Sequence, residues 1–98
     1  MSGSASAGRV RPADSVHARI FAGELVILDM ERGEYFAMDE IGATLWAGVQ
    51  AGKTLEQIAE DVVAHYDVPL PQALTDLAAL RNELLERGLL VQEGGESR

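Results

Sequence analysis

Between Met38 and Asp39 the apolar residues change their repeat, and that shift limits the chain to few folds. Before it they alternate or form short runs; after it they recur at three- and four-residue spacing. Val16, Ala18 and Ile20 alternate with His17, Arg19 and Phe21, the pattern of a strand with one covered face. Glu24 to Asp29 carries Leu25 and Ile27 on one face and Val26 and Leu28 on the other, which predicts a central strand covered on both sides. Met30-Glu31-Arg32-Gly33 supplies a short loop, and Glu34 to Met38 returns as a third strand. The first third of the chain therefore predicts a meander of three antiparallel strands.

Beyond the shift the chain reads as helix. Asp39 caps a first helix carrying Ile41, Leu45, Trp46 and Val49, which ends at Gly52. Gly42 and Gly48 inside it cost about 1 kcal/mol each relative to alanine, so this helix needs tertiary packing to persist. Thr54-Leu55-Glu56-Gln57 is a capping box, and the helix it opens lines up Leu55, Ile58, Ala59, Val62, Val63 and Tyr66. Pro69 and Pro71 end that helix and begin a third, which runs to Arg87 and stops at Gly88. Its stripe of Leu77, Leu80 and Leu84 is widened by Ala73, Leu74, Ala78 and Leu85, more apolar surface than a single packed face requires. Leu89 to Gln92 predicts a last short strand. Residues 1–15 and 94–98 have the small polar composition of flexible tails, leaving a domain at 16–93. The fold class is α+β, winged-helix-like: a three-stranded antiparallel meander followed by three helices packed on one of its faces.

Several functions are argued against by what the chain lacks. There is no cysteine, so thiolate catalysis, disulfides and Cys-based metal sites are excluded. The five serines lie in or beside the expected tails, where no scaffold holds one against a base. His17 and His65 have no metal-ligand spacing around them, and the glycines form no phosphate-binding loop. Neither a catalytic residue, a metal nor a cofactor is expected. The net charge of −8 becomes −9 once the first fifteen residues, with Arg9, Arg11 and Asp14, are set aside. Nucleic acid is then an unsuitable partner, because binding it relies on cations that displace phosphate counterions. Neither a signal peptide nor a membrane-spanning stretch is apparent, so the protein is expected in the cytoplasm.

One feature invites a partner: the third strand, Tyr35-Phe36-Ala37-Met38, has neither Lys nor Pro to blunt it if it forms a sheet edge. Beside the surplus apolar surface of the third helix, such an edge makes a groove into which an extended peptide adds as a strand. Composition alone favours the plainer alternative, in which Phe36 and Met38 face the core, Tyr35 is amphipathic surface and the chain's own N-terminal tail covers the edge.

The run Glu34-Tyr35-Phe36-Ala37-Met38-Asp39-Glu40-Ile41-Gly42-Ala43-Thr44-Leu45-Trp46, followed by Gly52-Lys53-Thr54-Leu55-Glu56-Gln57-Ile58-Ala59, Tyr66-Asp67, Asp76 and Gly88-Leu89-Leu90-Val91, resembles the PqqD-like family. The likeness covers about residues 20 to 92, with Met38, Asp39 and Leu45 as conservative departures from the family pattern. Members resemble RiPP recognition elements, non-catalytic domains that hold the leader of a ribosomally made precursor peptide. The chain is most similar to the free-standing leader-binding protein of split lasso-peptide biosynthesis systems. The resemblance implies two partners: a precursor leader of the Tyr-x-x-Pro-x-Leu type and a separate cysteine-protease-like leader peptidase. It also implies a leader site in which Glu34, Tyr35, Phe36, Ala37 and Met38 offer backbone groups while Asp76, Leu77, Leu80, Arg81 and Leu84 wall the groove. Two other functions remain open, a PqqD-type peptide chaperone for a radical modifying enzyme and an acidic winged-helix module associated with transcription.

Overall fold

A computed structural model describes residues 9–92 of the chain; the outer parts of both expected tails, including all of 94–98, lie outside the described residues. Five strands and three helices follow in the order β1 (Val10–Pro12), β2 (Val16–Phe21), β3 (Glu24–Asp29), β4 (Glu34–Met38), α1 (Glu40–Gln50), α2 (Leu55–His65), α3 (Leu70–Glu86) and β5 (Leu90–Gln92). The period shift at Asp39 is the boundary between sheet and helices. Asp39 caps α1, its Oδ1 accepting from the amides of Ile41 and Gly42, both at 3.1 Å. Thr54 and Gln57 close the capping box of α2 in both directions.

Strands β2, β3 and β4 form the antiparallel meander in that order, with Ile27 opposite Ala18 on one side and Phe36 on the other. Leu25 and Ile27, fully buried on the inner face, meet Leu45, Trp46 and Val49 of α1, Ile58 and Val62 of α2, and Leu77 and Leu84 of α3 in one core. The two glycines of α1 are explained by close approach. A Cβ on Gly42 would lie 2.6 Å from the Met38 Cβ, and one on Gly48 would collide with Ile58. Packing against β4 and α2 therefore outweighs the helix propensity given up at both positions.

Two expectations need correction. Residues 10–12, assigned by composition to a flexible tail, form β1 and pair antiparallel with β5, Arg11 opposite Val91. The Ala13 amide donates to the Leu89 carbonyl at 3.0 Å, and the Met30 amide to Ser15 at 2.9 Å, tying this segment to both ends of the fold. The partner strand lies some eighty residues away in sequence, so no local pattern announces it. The second correction concerns β3, which is covered on one face only: Val26 and Leu28 are exposed on the outer side of the sheet with Tyr35 of β4. All three helices pack on the other side.

Candidate functional site

On one side β4 pairs with β3; on the other it pairs with no described strand. Val10–Pro12, the described part of the N-terminal segment that could cover this edge, pairs with β5 instead. An uncovered strand margin presents a row of backbone donors and acceptors at strand spacing. The side chains of β4 divide between two faces. Phe36 and Met38 turn inward, half-buried against the core, while Tyr35, 71% exposed, belongs to the outer face.

Polar contacts tie the C-terminal end of α3, held by Leu77 and Leu84 in the core, to this edge. Asp29, buried at the end of β3, accepts from the amides of Glu31 and Arg32 through Oδ1 and so shapes the turn into β4. Arg32 Nη1 then donates to the Arg87 carbonyl at 3.2 Å, satisfying an acceptor that the end of α3 leaves free. The Arg87 guanidinium sits 5.3 Å from the centroid of the Phe36 ring, a cation-π contact between the cap of α3 and β4.

Residues advance by about 100° around a helix, so the position of Arg87 fixes the direction of its neighbours. Asp76, Leu80 and Arg87 share the flank of α3 turned toward β4. At the N-terminal end of that flank a cleft of about 210 Å³ is lined by Ile41, Val62, Tyr66, Val68, Ala73 and Leu77, with exposed Asp76 at its rim. Ile41 lies three residues beyond Met38, so the end of β4 leads to this cleft. Its mouth is braced by the Tyr66 hydroxyl, which donates to Glu40 Oε1 at 2.8 Å. That hydrogen bond, with smaller contributions from burial and the acidic charge nearby, holds the Tyr66 hydroxyl above the usual tyrosine pKa.

The ten residues expected at the site are thus separated by the structure. Glu34, Tyr35, Phe36, Ala37 and Met38 make the unpaired edge strand, with Asp76 and half-buried Leu80 on the facing flank of α3. Leu77 and Leu84 are fully buried and belong to the core; Leu77 contributes to a groove only as a wall of the small cleft. Arg81 is turned about 100° from Leu80 and lines a different cleft, beyond the other flank of the helix. Sequence reading missed Ile41, Tyr66, Val68 and Arg87. Tyr66 carried a signal in its place at the end of the α2 stripe, whereas Arg87 was read only as the end of a helix.

Among the described residues no group of three or more His, Asp or Glu is placed to hold a metal ion, and no helix is long and apolar enough to cross a membrane.

A family model described as coenzyme PQQ synthesis protein D (PqqD) matches residues 24–90. Among solved structures, TbiB1 in complex with the TbiA(beta) leader peptide is similar at 30% identity and a TM-score of 0.76, over 89% of this chain and 99% of that one. Lasso peptide synthetase B1 complexed with the leader peptide shares the fold, with a TM-score of 0.78 at 24% identity, covering 85% of this chain and 98% of that one. No curated protein matches the chain.

Proposed function

The chain belongs to the PqqD family, and from that premise we propose that it is a non-catalytic recognition protein for the leader segment of a ribosomally synthesised precursor of the lasso-peptide kind. The leader adds as a strand to the outer edge of β4. Side chains on one of its faces then lie between β4 and the Asp76–Leu80 flank of α3, and the small cleft beside Ile41 and Tyr66 receives an apolar anchor. Asp76, at the rim, accepts a hydrogen bond from a polar tip such as a tyrosine hydroxyl. The leader, once held, is presented to a separate cysteine-protease-like peptidase in the cytoplasm. The chain's own part is binding and orientation.

The observation that carries this reading is the unpaired edge of β4 beside the open flank of α3, in a chain similar over most of its length to a protein solved with a leader peptide. The magnitudes agree with it. Two buried anchors contribute about 1.5 to 3 kcal/mol each, and four or five strand hydrogen bonds about 1 kcal/mol each net. Together these contribute about 7 to 11 kcal/mol; ordering a flexible peptide offsets several of them, leaving about −6 to −8 kcal/mol, tens of micromolar to about micromolar binding. Fluorescence anisotropy with a labelled synthetic leader of the Tyr-x-x-Pro-x-Leu type tests it: saturable binding in that range is expected, and a flat titration overturns the reading.

A further inference from the structure

On the far side of α3 from β4 lies a larger cleft, of about 970 Å³, between β1, the end of α1 and the start of α2. We propose that this cleft is a second binding site, for an acidic peptide segment of a partner protein that carries an apolar side chain. Its charge sets it apart from the rest of the molecule. Arg9, Arg11, Lys53 and Arg81 line it, four of the eight basic residues of a chain whose net charge is −8, whereas Glu56 alone among the described acidic residues does.

The cations are available. Arg11 and Lys53 hold Asp14 and Asp61 in ion pairs near the surface, the kind that exchanges readily for another carboxylate. Arg9 and Arg81 have no carboxylate partner among the described residues, and the buried Nε of Arg81 has no acceptor there. The N-terminus of α2 opens into the same space through Thr54 and Leu55, adding the positive end of the helix dipole.

The floor decides which anion fits. It is made by core residues, among them Leu45 and Ile58, which offer burial to an apolar side chain lying between the charges. The cations stand on four separate segments, and no glycine-rich loop gathers amides around one point, as a phosphate cradle requires. Spaced carboxylates around an apolar anchor match this layout. Because α3 separates this cleft from the β4 edge, both are open to ligands at once.

The test is fluorescence anisotropy on the full chain with a short labelled peptide of glutamates carrying leucine at every third position, against the same peptide with lysine for glutamate. Saturable binding of the acidic peptide alone, weakening as salt rises, is expected. Arg9→Gln with Arg81→Gln should weaken it about tenfold, the combined effect of two partly exposed ion pairs, while a labelled leader peptide binds as before. Should the double variant unfold, Arg9→Gln and Lys53→Gln, both at exposed positions, each still predict a loss of about threefold. Equal binding of both peptides, or no loss in any variant, overturns the proposal. Displacement by inorganic phosphate at the peptide's own concentration overturns it in favour of a simple anion site. Acidic-peptide binding that appears only after residues 93–98 are deleted overturns it as well, since the cleft then belongs to the chain's own Glu93 and Glu96.

Discussion

The two flanks of α3 have opposite characters although they lie on one helix a turn or less apart. The flank toward β4 carries Asp76 and Leu80 and faces a strand edge that no described strand pairs with, beside an apolar wall. The flank carrying Arg81 faces a cleft with cations at its rim, bordered by the short strand β1. Between them Leu77 and Leu84 are fully buried. A helix wedged into a small core thus serves two surfaces, and the buried stripe keeps them apart. Recognition by backbone pairing tolerates sequence variation in the guest, whereas recognition by spaced charges depends on salt.

The largest effect is expected where both flanks depend on the same residue. Leu84→Ala should destabilise the fold by about 2 to 5 kcal/mol, the usual cost of a buried leucine plus the cavity it leaves, read as a lowered urea midpoint with an unchanged slope. Gly48→Ala should lower stability by about 1 to 3 kcal/mol through overpacking against Ile58; propensity alone predicts the opposite sign, so a stabilised variant would refute the close-approach explanation.

The next variants separate the flanks directly. Leu80→Asp should weaken leader binding by about tenfold or more, near 1.4 kcal/mol, with the circular dichroism of the folded protein retained, while Arg81→Gln changes it little. The reverse order would show that the leader lies on the other side of the helix. Tyr35→Asp, on the outer face of the sheet, should weaken binding only severalfold, because a guest strand meets its backbone rather than its ring.

The smallest effect concerns the brace at the mouth of the apolar cleft. The Tyr66 hydroxyl is the hydrogen-bond donor to Glu40, so its neutral form is favoured in the folded protein and its pKa is raised. Any stability linked to it is therefore fully present below the ordinary tyrosine pKa and is lost as pH rises through the raised one. In a Tyr35→Phe background, ultraviolet titration should place the Tyr66 midpoint above that of free tyrosine. Glu40→Gln should bring it down, and an unmoved midpoint would show that Glu40 is not the cause.

Most of the fold could be read from local patterns. The capping box at Thr54, the cap at Asp39 and the prolines at 69 and 71 act within a few residues of where they stand, and the helices begin where these residues predict. The pairing of Val10–Pro12 with Leu90–Gln92 depends on segments at opposite ends of the domain, and an average over the first fifteen residues hid it. The candidate site was half legible. Its strand was recognisable as apolar and unblunted, but Leu77, Leu80, Arg81 and Leu84 could not be sorted from spacing, which gives their angles relative to one another and no outside direction.

The sequence by itself determined which segments become strands and helices and that α3 has more apolar surface than one contact needs, because periodicity, caps and turn residues work over a few ångströms of chain. Only the tertiary structure decided that the outer edge of β4 has no partner among the described strands, that β1 closes on β5 and that Arg81 lines the other cleft. Each of those depends on how elements distant in sequence are oriented, and orientation is set by packing in a shared core.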